Sequence, residues 1–241
     1  MVNDPLLLDR ARGLWRDLAS VPVVFGEEGE VRVVAAPGSR FCPPGWVGVV
    51  LLGGATVVTA PTEADADRVR EAVAGVPAAD LADASVLART LPIGRVIGPA
   101  ALAYVSEAAF RPVAPGGLSV ERLPAGHPEL TALERAAGQA DADEAGLDEI
   151  TSPAFVVRLD GRVAAAAGYR DWPARTAHLA VLTAPGRRGR GLARLTGSAA
   201  VRHALAQDLL PQWRARVPAS RSVAAALGFA DLGSQVSVAL T

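Results

Sequence analysis

Residues 181–194 constrain this chain more than any other stretch, because they combine a strand, a glycine-rich turn and the start of a helix. The apolar run before Thr183 is typical of a buried strand, and Pro185 and Gly186 turn the chain. Two more glycines and four arginines surround the point near Leu192 where a helix begins. The first N–H groups of a helix lack partners within it, and its dipole favours negative charge there. The segment therefore predicts an anion site, although the arginines alone would favour a solvated basic loop.

Strands and helices are also predicted along the rest of the 241 residues, half of which are hydrophobic. This length allows one large domain or two small ones, and the best linker is at residues 114–117. Before it, the pattern predicts a helix at 5–19, paired strands at 21–25 and 31–35, a hairpin at 46–58 and a helix ending near 74. After it, the predicted order is β-α-(α)-β-β-β-α-β-α-β, an α/β fold with helices on both faces of one sheet.

Composition argues against several classes of function. The formal net charge of -1 disfavours binding to nucleic acids or membrane surfaces. Cys42 is the sole cysteine, so the chain has no internal disulfide, and the three scattered histidines show no metal-ligand spacing. No apolar run approaches the roughly 20 residues of a membrane helix, and the first residues do not follow the order of a signal peptide. We expect a cytoplasmic protein that uses no metal and binds neither nucleic acid nor membrane.

Two motifs in the second half of the chain resemble the GNAT superfamily of acyl-CoA-dependent N-acyltransferases. The pyrophosphate motif of that family is Arg or Gln, two residues, Gly, one residue, then Gly or Ala, and Arg188, Gly191 and Ala193 fit it. Residues 218–229, PASRSVAAALGF, resemble the last helix of the family and its Leu-Gly-Phe ending. The resemblance covers residues 118–241. It implies a mixed, largely antiparallel sheet flanked by helices, preceded by a second αβ domain in residues 1–113.

The resemblance implies an N-acetyltransferase that moves an acetyl group directly from acetyl-CoA, its co-substrate, to an amine. Backbone amides at 189–194 would hold the CoA pyrophosphate, and backbone groups at 181–183 would pair with the pantetheine arm. A backbone N–H near Leu182 would polarise the thioester carbonyl. The implied cofactor-binding residues are Val181, Leu182, Thr183, Arg187, Arg188, Gly189, Arg190, Gly191, Leu192, Ala193, Arg194 and Ser220.

Two positions depart from the family pattern. Val217 stands where the family often has Asn, and Ala224 stands where many members have a Tyr that protonates the leaving thiolate. Valine cannot hold the cofactor through its side chain as that Asn does, and alanine cannot donate a proton. Acyl-CoA binding is therefore better supported than any scheme of proton transfer. A catalytically weak or inactive CoA-binding regulatory module is therefore an alternative to the enzyme. A nucleic-acid binder that uses the arginines is a third hypothesis, which the net charge disfavours.

Acetylation of an amine also needs a base. His178 is a candidate on the strand before the turn, where a structural histidine is the more common role. Glu144 and Glu149 fall in the acidic stretch 141–149, a segment that lines the acceptor pocket in the family. The alternative for these acids is a solvated loop. We expect His203 to be structural.

Residues 1–113 contain no catalytic motif, but they repeat one detail of the second half. VVTAP at 57–61 and VLTAP at 181–185 each precede a predicted helix. The first half is either a degenerate GNAT copy, with the acidic turn TEADADR in place of glycines, or an unrelated αβ domain. In both cases we expect it to shape the acceptor site or a homodimer contact. The sequence leaves the acceptor open among small amines, amino acids, antibiotics and protein N-termini.

Overall fold

The computed structural model describes residues 4–241, which form a mixture of helices and strands. The helices are α1 (Pro5–Ala19), α2 (Glu63–Val73), α3 (Ala84–Leu87), α4 (Pro128–Ala137), α5 (Gln139–Ala145), α6 (Leu192–Ala206) and α7 (Pro218–Ala226). The strands are β1 (Val31–Ala35), β2 (Val47–Leu52), β3 (Ala55–Ala60), β4 (Ile93–Tyr104), β5 (Glu121–Leu123), β6 (Ala154–Leu159), β7 (Arg162–Trp172), β8 (Thr176–Thr183), β9 (Leu210–Ala215) and β10 (Ala230–Leu240). Short 3₁₀ helices lie at Ala78–Ala82, Leu147–Glu149 and Pro185–Arg187.

Local sequence signals account for most element boundaries. Asp4 caps α1 by accepting the N–H of Leu7, and Pro5 occupies the first helical position. The predicted strand at residues 21–25 is wrong, because these residues have no regular structure. Val24 is 51% exposed there, and β1 pairs in parallel with β3 instead of forming a hairpin with this stretch.

By its contacts the chain divides into two compact units, and the first comprises residues up to 103 together with 215–217 and 231–241. Its strand order is β1-β3-β2-β10-β4, with β2 antiparallel to both β3 and β10. Its core contains Val49, Val58, Leu81 and Val236. The functional domains 1–113 and 118–241 stay a prediction.

The second unit comprises residues 104–214 and 218–230, and its strand order is β9-β8-β7-β6-β5. Strands β5 to β8 are antiparallel to their neighbours, and β9 runs parallel to β8. On one face, Ala180 and Leu182 of β8 pack with Leu130 of α4. On the other, Tyr169 of β7 contacts His203 of α6. The predicted mixed, largely antiparallel sheet flanked by helices is therefore confirmed.

Every helix within residues 4–241 is too short or too polar to cross a membrane.

Candidate functional site

The glycine-rich turn joins β8 to α6 and leaves the start of α6 open. Gly189 and Gly191 have φ values of +76° and +75°, a conformation that residues with a side chain rarely adopt. Gly191 is the N-cap of α6 and carries no side chain that could accept the first N–H groups. Apart from each glycine and its immediate chain neighbours, no atom of residues 4–241 lies within 4 Å of the position that a Cβ would take there. The backbone is therefore accessible where the helix dipole is positive.

Strand β8 has one paired edge and one edge that opens. Its pairing with β7 continues to Thr183. Within the described chain, its pairing with β9 covers only Thr176 to His178, opposite Leu210 to Gln212. From Leu179 onward the two parallel strands diverge, and the β9-facing edge of β8 is left for another partner.

The alternation of hydrogen bonds shows which backbone groups face that open edge. Ala184 donates its N–H to Ala164 beside β7, and Leu210 donates to Arg175 on the β9 side. Even-numbered residues of β8 therefore bond to β7, and odd-numbered ones face β9. The N–H of Leu182 is thus directed at β7, whereas Val181 and Thr183 face the open edge. The hydroxyl oxygen of Thr183 is buried without a hydrogen-bond partner among residues 4–241.

The four arginines of the turn and the first residues of α6 have two kinds of surroundings. Arg187 and Arg188 form ion pairs with Asp160 and Asp141, each with 2.5 Å between nitrogen and oxygen. In contrast, Arg190 and Arg194 line a cavity of about 270 Å³, together with Gly191, Leu195 and the segment 113–118. Ser198 of α6 holds that segment by accepting the Val113 N–H at 2.8 Å. Two guanidinium groups therefore lie beside a cavity at the helix start.

His178 is the candidate base whose surroundings are best defined. Its Nδ1 lies 2.7 Å from Oε1 of Gln212, and its ring stacks on Trp172 with centroids 4.0 Å apart and 9° between the planes. Burial lowers the His178 pKa to about 3, the charges of Arg214 and Arg170 act in the same direction, and the Gln212 hydrogen bond opposes them. The imidazole is therefore neutral at physiological pH.

The acidic candidates lie in different places. Glu149, at the end of a 3₁₀ helix, forms an ion pair with Arg170 at 2.5 Å. Arg170 is directly opposite His178 in the β7–β8 register, so Glu149 and His178 belong to one cluster. Glu144 lies on α5 and is half-buried. Among residues 4–241, no three His, Cys, Asp or Glu side chains are grouped as a metal site would need.

Residues near α7 are mostly engaged in packing. The Ser220 hydroxyl accepts the indole N–H of Trp213 at 2.9 Å. Ala224 is 2% exposed, and Val217 is 48% exposed. His203 Nδ1 lies 2.9 Å from Tyr169 Oη.

The sequence analysis missed Gln212. A glutamine within the strand LPQWRA was a signal, because a buried amide needs hydrogen-bond partners.

The corresponding turn in the first unit lacks these features. Thr62 caps α2 by accepting the N–H of Asp65, and Glu63 and Asp65 occupy the first turn. These carboxylates supply the negative charge that the helix dipole favours. An anionic ligand at the start of α2 would therefore be repelled by these carboxylates rather than attracted by the helix dipole.

Comparisons with known proteins match part of the chain to one family model and much of it to several solved structures. Residues 154–234 match the family model "GNAT acetyltransferase". No curated protein has a sequence that matches this chain significantly. A GCN5-related N-acetyltransferase-like protein from Streptococcus suis 89/1591 is 15% identical, with a TM-score of 0.50 over 97% of this chain and 98% of that one. It shares the fold along nearly the whole of both chains.

Two further solved structures are similar over different lengths. A protein of the GNAT family from Novosphingobium aromaticivorans DSM 12444 is 24% identical, with a TM-score of 0.47 over 61% of this chain and 65% of that one. This chain thus spans less than two thirds of that protein. A tandem GNAT protein from the clavulanic acid biosynthesis pathway is 17% identical, with a TM-score of 0.48 over 99% of this chain and 97% of that one.

Proposed function

Because residues 154–234 match the GNAT acetyltransferase family model, we propose that this protein transfers an acetyl group directly from acetyl-CoA to an amine. One observation carries the proposal: the open edge of β8 leads straight into the accessible N-terminus of α6. An extended thiol-bearing arm can add to a strand edge, and a pyrophosphate can bind the helix start that follows it. Acyl-CoA has both parts in this order.

In this proposal the donor is held mainly by backbone groups. The N–H groups of residues 189–194 hold the pyrophosphate, and Arg190 and Arg194 add positive charge from the cavity wall. The pantetheine arm pairs with Val181 and Thr183, which face the open edge. One of their N–H groups, rather than that of Leu182, then polarises the thioester carbonyl. Ser220 stays in the proposal as a neighbour of the arm.

The reaction needs one bond to form and one to break. The amine nitrogen attacks the thioester carbon, the C–N bond forms, and the C–S bond breaks with its electron pair on sulfur. A proton must leave the nitrogen, and His178 accepts it in this proposal. A base with so low a pKa takes this proton from the acidic N–H of the tetrahedral adduct rather than from a free ammonium. Glu149, through water, is the other proposed base.

Calorimetric titration with acetyl-CoA tests the donor site. In this proposal Arg188, which fits the family's pyrophosphate motif, leaves Asp141 and contacts the pyrophosphate. Arg188→Glu removes that charge-assisted contact and adds repulsion, so binding should weaken by about 2–3 kcal/mol. Arg202→Glu is the matched control, because it makes the same charge change on the exposed surface of α6. If Arg188→Glu binds acetyl-CoA as tightly as the unaltered protein does, the site assignment is contradicted.

A CoA-binding module without turnover is the second candidate, and Ala224 favours it. This residue occupies the position where many family members have a Tyr that acts as the general acid for the leaving thiolate. Ala224 is buried and has no proton to donate. The two candidates differ in thiol release when acetyl-CoA is mixed with a panel of amines. Release above hydrolysis indicates the enzyme, and tight binding without release indicates the module.

A further inference from the structure

Gln212 joins two side chains of the second unit. Its Nε2 donates to Tyr104 Oη at 2.9 Å, and its Oε1 lies 2.7 Å from His178 Nδ1. Gln212 is fully buried, so both ends of the amide need partners. An amide oxygen can only accept, so the hydrogen of this bond belongs to His178 Nδ1. In a neutral imidazole the other nitrogen, Nε2, then carries a lone pair and no hydrogen.

The backbone fixes this arrangement at a particular place. His178 and Gln212 form the last pair of the β8–β9 ladder, so their side chains are neighbours on one face of the sheet. The next residues of β8 belong to the open edge. Trp172 stacks on the imidazole and restricts rotation of the ring. The histidine with a defined tautomer therefore stands where the proposed acyl donor begins to pair.

We infer that Gln212, anchored by Tyr104, is a positioning residue that holds His178 as the Nδ1–H tautomer, so that Nε2 is the proton acceptor in acyl transfer. The catalytic part of this inference rests on the proposed function. The tautomer is a property of the folded chain alone and can be measured without substrate.

The charges around His178 support a neutral ring. Arg170 of β7 and Arg214 of β9 both act against its protonation, and Glu149 is paired with Arg170. Tyr104 accepts the hydrogen bond from Gln212 Nε2, and Trp172 has no ionisable group. A carboxylate in place of the Gln212 amide would change this balance, because it would favour the imidazolium.

The first test is nitrogen NMR of the full chain with ¹⁵N-labelled histidine, from about pH 5 to about pH 8. Loss of a signal in His178→Asn assigns the ring. We expect the Nδ1–H pattern without titration in the unaltered protein. Gln212→Leu should shift His178 toward the Nε2–H tautomer or a mixture, and Tyr104→Phe should shift it less. His203 is the internal control, since its partner is Tyr169.

The spectra can overturn the inference in two ways. An Nε2–H pattern in the unaltered protein contradicts it, and so does a His178 pattern unchanged by Gln212→Leu. Gln212→Glu keeps an acceptor at nearly the same volume, and it should make His178 titrate within the range. This variant tests the same bond if leucine is not tolerated.

The second test is kinetic, with an amine that accepts acetyl groups. Gln212→Leu should lower kcat by roughly 10–100-fold, less than the 10²–10⁴-fold that a general base itself typically contributes, with the KM for acetyl-CoA almost unchanged. Gln212→Glu should recover part of kcat and shift its pH profile upward. Full turnover in His178→Asn would contradict the catalytic role. So would a loss of acetyl-CoA affinity in Gln212→Leu that is as large as its loss of kcat. Failure to bind acetyl-CoA would contradict the proposed function, whereas the spectra would still decide the tautomer.

Discussion

Arg188 of the glycine-rich turn and Asp141 of α5 form an ion pair, with 2.5 Å between Nη2 and Oδ2. Both side chains are about half exposed, at 51% and 44%. A carboxylate of the protein thus binds the guanidinium that fits the family's pyrophosphate motif. A pyrophosphate arriving at the turn would compete with Asp141, because guanidinium binds both anions through the same N–H groups.

Removing this competitor should strengthen acetyl-CoA binding. An exposed ion pair stabilises by about 0–1 kcal/mol, so Asp141→Asn should lower Kd by up to about fivefold. Calorimetric titration measures the change. Asp143→Asn is the control, because it alters the same charge on α5 while its hydrogen-bond partner is Gln139. An equal gain in both variants would indicate a general charge effect and contradict a specific role of Asp141.

A methyl group at the helix start should weaken both folding and binding. Gly191 has a left-handed backbone, so Gly191→Ala should cost about 1–2 kcal/mol in the free energy of unfolding. Acetyl-CoA affinity should fall as well, because Cβ would stand beside the N–H groups. Gly186→Ala is the control in the same turn, since Gly186 lacks the positive φ. Urea denaturation and calorimetry would report the two effects, and equal behaviour of both variants would contradict the argument.

Features set by local chemistry were predictable from the sequence, and features set by distant pairing were not. The consecutive strands predicted after the linker were confirmed at β6 and β7, which turn at Asp160-Gly161, and so were the strand, turn and helix around Gly191. The parallel pairing of β1 with β3 depends on contacts beyond any local pattern, and it replaced the expected strand at 21–25. The role of Gln212 depends on its register with His178, which composition does not reveal.

A close backbone contact makes Gly228 the most sensitive glycine of the second unit. A Cβ there would lie 2.1 Å from the carbonyl oxygen of Ala109, and its φ is +93°. Gly138 has a similar φ of +90°, but apart from its chain neighbours no atom of residues 4–241 lies within 4 Å of where its Cβ would be. The backbone strain of about 1–3 kcal/mol applies to both Ala variants.

The clash adds about 1–3 kcal/mol at Gly228 alone, as in an overpacked core. Thermal and urea denaturation should therefore rank Gly228→Ala well below Gly138→Ala. Equal stability of the two variants would mean that the chain near Ala109 relaxes freely.

The half-buried His178 should make folding sensitive to acid. The His178 pKa is lowered by burial to about 3, from an ordinary value of 6.5. Below pH 6.5 His178 therefore binds a proton in the unfolded chain but not in the folded chain, so the free energy of unfolding falls as the pH falls. This contribution has a slope of up to about 1.4 kcal/mol per pH unit, which ends near the folded pKa. His178→Gln should lose that slope, while the other titrating groups cancel in the comparison. Urea denaturation of both proteins at several pH values measures the difference, and parallel curves would contradict a His178 that stays neutral in the folded chain.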